Sequence, residues 1–297
     1  MASRPLATLA RVTAWIARGA WLLVALIGGE TIEAAVDGRS TNISWIAAIG
    51  GWAVWAVVAV ALTIPSVPAL TAARVGTPLA LVATLVAGIA GTPSADLVFL
   101  SIPAFVALVA VFTADFGRQF VQASAYGDEE RFPLHAPAAA GTAAVLAWLV
   151  WVILLFSGPL LLGSRSWVVG AITALLALAG TIFFAPRWNQ LSRRWFVLVP
   201  AGIVLHDPVV MADTVALRTA DVARLRLAPA DTEAADLTGP ASGYAIEITT
   251  TKSVTAVFAF TPSEPDGRAI HLTAMLVAPS RPGQVLAAAG ARGLPVG

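Results

Sequence analysis

The pattern of hydrophobic and polar residues along the chain changes at Pro186. Before Pro186, long apolar runs are separated by short polar breaks. Apolar runs of about 20 residues cross a bilayer as helices. After Pro186, apolar and polar residues alternate in short segments between turn residues, which is the pattern of half-buried β-strands. We therefore predict an α-helical polytopic membrane domain at residues 1–186, followed by a small all-β domain.

Six transmembrane helices fit the apolar runs. Their predicted limits are residues 13–35, 43–64, 77–92, 97–114, 138–162 and 166–186. The third helix is the shortest, and we place its start at Thr77-Pro78 because proline is tolerated in the first turn of a helix. Pro103 and Pro159 lie inside two of the runs and are expected to kink those helices.

The arginines predict the orientation of these helices. With the N-terminus inside, eight arginines fall on the inner side, and two, Arg39 and Arg165, fall on the outer side. Because arginine and lysine concentrate in cytoplasmic loops, both termini and the β domain are expected in the cytoplasm. The inner set is Arg4, Arg11, Arg74, Arg118, Arg131, Arg187, Arg193 and Arg194. Abundant alanine and a single lysine, Lys252, are typical of an actinobacterial protein and indicate a bacterial cytoplasmic membrane.

About seven short strands and one helix are predicted in residues 195–290, between a basic linker at 187–194 and a tail at 291–297. The expected strands are 195–200, 203–206, 215–218, 222–227, 244–250, 254–260 and 269–277. A polar loop at 229–243 and a tight turn at 251–253 connect them. Ser280 is the expected cap of a helix over 284–289, with Pro282 in its first turn.

Three stretches carry a resemblance to a known family: RRWFVLVPAGIVLHD, LRTADVARLRL and PSRPGQVLAAAG. They resemble the way in which bacterial pleckstrin-homology-like (PH-like) domains begin, bend and end. The resemblance covers residues 195–290 and implies a β roll or barrel capped by a helix. It also implies association with lipid headgroups or with protein assembly at membranes. From the residues alone, a split OB-like fold or another small β-barrel is an open alternative.

Six basic residues of the β domain are candidates for contact with the membrane or a partner. They are Arg193, Arg194, Arg218, Arg224, Arg226 and Lys252. Near an anionic leaflet, each such residue contributes about 1 kcal/mol of attraction. The region after Pro186, however, has 10 basic and 9 acidic residues. This balance favours a protein-interaction or structural module over headgroup binding and argues against a nucleic-acid partner.

Five charged residues are candidates for a polar site within the membrane. Arg18 and Glu30 are about 18 Å apart along a helix, so at least one lies inside the ~30 Å hydrocarbon core or near its edge. Glu30 and Glu33 share a helix face, and carboxylates at membrane depth are candidates for a proton or cation relay. The alternative places both at the outer interface. Asp115 and Arg118 are expected to form an ion pair at the inner end of the fourth helix.

The remaining reactive residues form no catalytic pattern. Cysteine is absent, which excludes disulfides, thiol catalysis and cysteine metal sites. His135, His206 and His271 have no metal-ligand spacing, and the acidic run at 128–130 is expected to be solvated. We therefore predict no catalytic residue, no metal site and no cofactor.

The function predicted from these patterns is a non-enzymatic integral membrane scaffold or accessory subunit. Its cytoplasmic PH-like domain is expected to dock a protein partner or the inner leaflet. The alternative is a small transporter or lipid-handling protein that uses Glu30 and Glu33. A third hypothesis is a membrane-embedded enzyme that uses those carboxylates or Asp115.

Overall fold

The computed structural model describes residues 4–259 and 268–297, with side chains from Arg11 onward. The chain separates into two compact units. The helical unit comprises Met1–Phe120 and Val145–Trp188, and the β unit comprises Val121–Ala144 and Asn189–Gly297. The chain therefore passes between the units three times, and the β unit is built from two separate segments.

Long apolar helices make up the first unit. In chain order the helices are α1 (Arg4–Val36), α2 (Thr41–Thr63), α3 (Val67–Gly76), α4 (Pro78–Ala90), α5 (Ser94–Phe112), α6 (Ala114–Gln122), α7 (Ala138–Gly163) and α8 (Trp167–Ser192). Six stretches of the described chain are long and apolar enough to cross a membrane: α1 from Arg11, α2, α3 together with α4, α5, α7 and α8. The predicted helical membrane domain of six spans, followed by a β domain, is confirmed at this level.

The third span begins earlier than predicted. It runs over Val67–Ala90, and Thr77-Pro78 lies in its middle. Thr77 keeps a helical backbone (φ −56°, ψ −40°), so Pro78 only divides the span into α3 and α4. The start is marked by Ser66, whose Oγ accepts a hydrogen bond from the Ala69 backbone N–H at 3.3 Å, as an N-cap does. Pro68 and Pro78 are both compatible with a helix start in the sequence, and the predicted start lay at the second of them.

This correction moves Arg74 from a loop into the third span. Its Nε donates a hydrogen bond to the carbonyl of Val111 at 3.2 Å, and its guanidinium lies 5.6 Å from the centroid of the Phe112 ring. Val111 and Phe112 end α5, where backbone carbonyls have no partner within the helix. The arginine therefore satisfies a helix end, and its charge contacts an aromatic face.

Two tryptophans join α1 to α2 by a reciprocal pair of hydrogen bonds. The indole N–H of Trp21 donates to the carbonyl of Trp55, and the indole N–H of Trp55 donates to the carbonyl of Trp21, each at 3.0 Å. One turn away, Arg18 Nε donates to the carbonyl of Leu62 near the end of α2, at 2.8 Å. Polar groups in an apolar region need such partners. Trp55 thus has a polar role in addition to its packing.

Close packing between α7 and α8 depends on glycine. A Cβ added at Gly158 would lie 2.8 Å from the backbone nitrogen of Ala174 and 2.9 Å from its Cα. A Cβ at Gly170 would lie 2.7 Å from the backbone nitrogen of Leu162. Small residues at such positions allow two helix backbones to approach each other closely.

We expect Gly158→Ala to separate α7 from α8 and to lower the stability of the helical unit by about 1–3 kcal/mol, because overpacking forces the backbones apart. The measurement is the thermal unfolding temperature of the full chain in mild detergent. Gly29→Ala is the matched control, because Gly29 is exposed within α1 and an added Cβ there meets nothing within 4 Å. An equal effect of both substitutions would contradict this account of the packing.

The β unit contains two four-stranded sheets in the described residues. The strands are β1 (Glu130–Pro133), β2 (Trp195–Val199), β3 (Gly202–His206), β4 (Val215–Arg218), β5 (Val222–Leu227), β6 (Ala235–Asp236), β7 (Ile246–Phe258) and β8 (Arg268–Val277). The first sheet has the order β1-β2-β3-β4, and the second has the order β5-β7-β8-β6. A last helix, α9 (Pro282–Ala291), follows β8. The predicted hairpin of β2 and β3 forms, since these strands pair antiparallel.

The first strand comes from the segment between α6 and α7, which the sequence analysis treated as a solvated loop. Arg131 pairs with Val197 and Phe132 with Phe196 in an antiparallel ladder. The side chain of Phe132 is 1% exposed and belongs to the core of the β unit. A predicted domain that began at residue 195 therefore omits one edge strand. The physical reason is that a four-residue strand becomes visible only through its long-range partner.

The strands predicted at 244–250 and 254–260 are one continuous strand, β7. Thr251-Lys252-Ser253 forms no turn, and the pairing with β8 instead shifts register between Thr249 and Val254. Such a β-bulge keeps a strand continuous while bending it. Tyr244, the first residue of the strand predicted at 244–250, lies before β7 and is 80% exposed. The predicted strand end at Phe260 lies outside the described residues.

Strand β5 departs from a regular alternation of buried and exposed side chains. Leu225 is fully buried but Leu227 is 50% exposed, and the register shifts between Val222 and Arg224. Ser280 does not cap α9, whose N-cap position is Arg281. The Oγ of Ser280 donates instead to the carbonyl of Pro133 at 2.9 Å, 147 positions earlier in the chain.

The two sheets meet at two corners. At one corner, the backbone N–H of His135 donates to the carbonyl of Ala278, and the N–H of Ser280 donates to the carbonyl of Pro133, each at 2.8 Å. At the other, residues 210–212 pair with 257–259 through two hydrogen bonds of 2.9 Å. Phe196, Leu225, Ile248 and Met275 are fully buried between the sheets. The unit is thus a partly closed β roll with one core.

Candidate functional site

Among the described residues of the β unit, Arg194 and Asp207 are the most deeply buried charges. Arg194 Nε donates to Asp207 Oδ1 at 2.7 Å, and Arg194 Nη2 donates to Oδ2 at 2.6 Å. Both residues are 2% exposed. A bidentate pair of this kind orients both side chains, and its charges are stable in a core only because they compensate each other.

This ion pair joins three separate parts of the β unit. The remaining guanidinium nitrogen of Arg194, Nη1, donates to the carbonyl of His135, in the segment before α7. Asp207 Oδ1 also accepts the backbone N–H groups of Val209 and Val210, each at 3.2 Å, in the turn after β3. Arg194 itself lies between α8 and β2. The pair therefore positions the segment that leads into α7 and the segment that follows α8.

Burial of Arg194 corrects one prediction. From the sequence, Arg194 was predicted to lie with five other basic residues on a surface that contacts the membrane or a partner. In the structure its guanidinium faces the core and cannot contribute to such a surface. No signal in the sequence distinguishes Arg194 from its exposed neighbour Arg193, because the acceptor carboxylate is 13 positions away.

Two more of the six basic residues bind carboxylates. Arg226 on β5 donates to Glu247 Oε1 on β7, with Nη2 at 2.8 Å, and Lys252 Nζ lies 2.8 Å from Asp221 Oδ1. The side chain of Lys252 is 67% exposed, so this second pair contributes little to stability. Arg193, Arg218 and Arg224 are exposed. The structure thus divides the six residues into one buried charge, two paired charges and three exposed charges.

Two histidines in the β unit favour the neutral form. Burial lowers the pKa of His135, and the nearby Arg194 guanidinium lowers it further. Burial also lowers the pKa of His206, with a further contribution from Arg193. The ring of His206 stacks on Trp195 at a centroid distance of 5.0 Å, and its Nδ1 lies 3.1 Å from Thr214 Oγ1. These contacts fit an uncharged imidazole within the sheet.

Glu247 has a pKa below its ordinary value. A hydrogen bond from Thr232 Oγ1 at 2.7 Å is the largest cause, and the hydrogen bonds and charge of Arg226 add to it against the opposing effect of burial. Ionised Glu247 is thus favoured in the folded state. Since a lowered carboxyl pKa stabilises the fold above the ordinary pKa, this contribution is lost as the pH falls below about 4.5 through the folded pKa.

We expect Glu247→Gln to lower the unfolding temperature of the β unit at pH 7. Between about pH 5 and pH 3, where carboxyl groups titrate, the unfolding temperature of this variant should fall less than that of the parent protein. The measurement is thermal unfolding across this pH range, compared with the parent so that the histidine contributions cancel. Glu233→Gln is the control, because Glu233 is exposed in the neighbouring loop. Parallel pH curves for parent and Glu247→Gln would show that the ionised carboxylate contributes nothing.

The charged residues predicted for the membrane domain lie in different places. Arg18 binds the end of α2, whereas Glu30 and Glu33 are exposed further along α1. Asp115 and Arg118 do not end α5, which stops at Phe112, but lie on the short helix α6. Thr113 separates the two helices, and its Oγ1 accepts the backbone N–H of Phe116 at 3.2 Å.

Two grooves on the helical unit are lined by mostly apolar side chains. One of about 420 Å³ lies between α4 and α5 and includes Leu85, Ile89 and Val98. Another of about 350 Å³ lies between α1 and α5 and includes the predicted kink residue Pro103. Neither groove contains the five charged residues singled out for the membrane domain. Within the described residues, no three His, Asp or Glu side chains are grouped to hold a metal ion.

Comparison with known proteins finds no matching family model, no similar curated protein and no similar solved structure.

Proposed function

We propose that this protein is a non-enzymatic integral membrane scaffold or accessory subunit whose β unit docks a protein partner. The observation that carries the proposal is the assembly of the β unit from two chain segments. One segment connects the fourth and fifth spans, and the other follows the sixth span. A folded unit attached to membrane helices at three points is suited to hold a bound partner at a membrane.

We place the β unit and both termini in the cytoplasm of a bacterium, with the six spans in its cytoplasmic membrane. Support comes from the positive-inside rule. Removing Arg11, Arg74 and Arg187 from the inner set, because they lie within candidate spans, still leaves five inner arginines against Arg39 and Arg165. Reporter fusions at the C-terminus and at Gly38, in the α1–α2 connection, test the orientation. A reporter that is active only in the cytoplasm should be active at the C-terminus and inactive at Gly38.

We infer a PH-like architecture for the β unit. Two four-stranded sheets, two hydrogen-bonded corners and a terminal helix α9 support it. For the partner, a protein is favoured over a lipid headgroup because a headgroup site needs several free cations together. Arg194, Arg226 and Lys252 are each engaged with a carboxylate. The exposed Arg193, Arg218 and Arg224 are compatible with the rim of a protein interface.

The test is affinity purification of the full chain from its native membrane in mild detergent, with quantitative mass spectrometry. We expect one partner in a stoichiometric amount. The matched comparison is a chain in which Arg218 and Arg224 are replaced by glutamate, because both are exposed and leave the core unchanged. A protein that is solitary in every preparation would contradict the proposal.

A small transporter or lipid-handling protein is the second candidate function. It is favoured by the position of Glu30 and Glu33, which are exposed on α1 inside the candidate span Arg11–Val36. Carboxylates in a span are costly unless they serve a pathway or lie at an interface. Glu30→Gln and Glu33→Gln should then abolish cation-coupled or lipid movement in vesicles while folding is retained. Unchanged movement in both variants would remove this candidate.

A further inference from the structure

The first half of helix α1 carries two arginines and a tryptophan on one face. Arg11, Trp15 and Arg18 are separated by one helix turn each, so their side chains lie one above the other. Trp15 is 68% exposed, and Arg11 is exposed as well. These three residues form the α1 patch, which combines two cations with an aromatic ring on the surface of the helical unit.

The guanidinium of Arg18 is held by two contacts and still has free donors. Its Nε donates to the carbonyl of Leu62 at 2.8 Å, and its Cζ lies 5.1 Å from the centroid of the Trp15 ring. Among the described residues, Arg18 forms no ion pair, and its two Nη groups donate to no protein atom and are not fully buried. The Nη groups are therefore oriented and available for a ligand with two acceptor oxygens.

The hydrogen bond to Leu62 also sets the depth of this guanidinium in the membrane. Leu62 is one residue before the end of α2, whose 23 residues span about 35 Å. The hydrocarbon core is about 30 Å thick, so an upright α2 exceeds the core by only about 5 Å in total. The Leu62 carbonyl therefore lies within about 3 Å of the edge of the core, and the headgroup phosphates lie just outside this edge.

We propose that the α1 patch binds the phosphate group of an anionic phospholipid. Two phosphate oxygens accept hydrogen bonds from the Nη groups of Arg18, Arg11 supplies a second positive charge, and Trp15 lies at headgroup level, where tryptophan is enriched. The depth of Arg18 favours a lipid over a soluble phosphate, and the two cations favour a lipid with net negative charge. The inference requires only that α1 and α2 cross the membrane, and it is independent of the protein partner proposed above.

The experiment is native mass spectrometry of the full chain in a mild detergent. Phosphatidylglycerol is titrated into the micelles, and the dissociation constant of the first bound lipid is measured for the parent, Arg18→Gln, Arg11→Gln and Trp15→Leu. Arg165→Gln is the matched control, because Arg165 is exposed in the turn between α7 and α8 and its replacement removes the same charge. Thermal unfolding reports the stability of each variant, and Arg11→Gln and Trp15→Leu leave the hydrogen bond to Leu62 in place.

We expect Arg18→Gln to weaken binding of phosphatidylglycerol about tenfold and Arg11→Gln and Trp15→Leu about threefold each, with Arg165→Gln within about twofold of the parent. Equal weakening by Arg18→Gln and Arg165→Gln would overturn the proposal, because total charge alone would then explain binding. If Arg18→Gln does not fold, unchanged binding in both other variants would overturn it.

Two further ligands distinguish the possible sources of the phosphate group. Glycerol 3-phosphate carries the phosphate without acyl chains and should leave the bound lipid in place at millimolar concentration. Displacement of the lipid would show a site for a soluble phosphate and would overturn the proposal. Phosphatidylcholine should bind several-fold more weakly than phosphatidylglycerol, and equal binding of the two lipids would contradict the selectivity for net negative charge.

Discussion

Replacing Asp207 by alanine is expected to destabilise the β unit by about 3–5 kcal/mol. The substitution leaves the guanidinium of Arg194 buried without its compensating charge. It also removes the acceptor for the N–H groups of Val209 and Val210. Hydrogen exchange of the full chain, followed by mass spectrometry, should show faster exchange throughout β1–β8, with the membrane helices unchanged.

The controls separate the loss of a charge pair from the loss of charge in general. Lys252→Ala removes an exposed ion pair with Asp221 and should destabilise the β unit far less than Asp207→Ala, because solvent screens an exposed pair. Replacing both buried partners, with Arg194→Met and Asp207→Leu in one chain, should destabilise less than Asp207→Ala because no uncompensated charge remains. A double variant as unstable as Asp207→Ala would show that the hydrogen bonds to His135 and to the turn matter more than charge compensation.

Truncation of Phe132 to alanine should destabilise the β unit by about 3–5 kcal/mol, because a large core side chain is removed. Phe132 is 1% exposed and lies on β1, which the helical part of the chain supplies between two membrane spans. Hydrogen exchange at the paired strand β2 reports the effect directly. The expected result is increased exchange at Phe196 and its neighbours, the direct partners of this strand.

Tyr126→Ala is the control for this truncation. It removes a ring of similar size from the same connecting segment, but Tyr126 is 80% exposed. We expect an effect within about 0.5 kcal/mol, as for most surface substitutions. If Phe132→Ala had an equally small effect on stability, β1 would contribute little to the β unit, and the unit would not depend on the segment between the spans.

Much of the architecture is predictable because it is encoded in local periodicity. A run of about 20 apolar residues specifies a membrane helix independently of its neighbours, and four of the six spans were placed within three residues at each end. The sixth helix continues six residues beyond its predicted end, through Pro186 to Ser192, so most of the predicted linker 187–194 is helical. Strands β2, β3, β4 and β5 were also placed from alternation alone. The third span was misplaced because two prolines, Pro68 and Pro78, are compatible with a helix start, and only the backbone at Thr77 shows that the second interrupts a helix.

The charged residues show where local patterns stop being informative. Six basic residues of the β unit look alike in sequence, yet Arg194 is buried, Arg226 and Lys252 are paired, and the others are exposed. A side chain's environment depends on its partner across the fold. Asp207 is 13 positions from Arg194, and the carbonyl of His135 is 59 positions away. Such distances cannot be read from spacing.

By itself, the sequence determined the six membrane helices, the β domain after them and the absence of cysteine chemistry. These features follow from hydrophobicity and composition, which act residue by residue or over one helix turn or strand. The tertiary structure decided that β1 completes the first sheet, that Arg194 lies in the core and that Ser280 donates a hydrogen bond to the carbonyl of Pro133. Those outcomes depend on pairs of distant residues, whose interaction energies arise only when the folded chain brings them within hydrogen-bond or van der Waals distance.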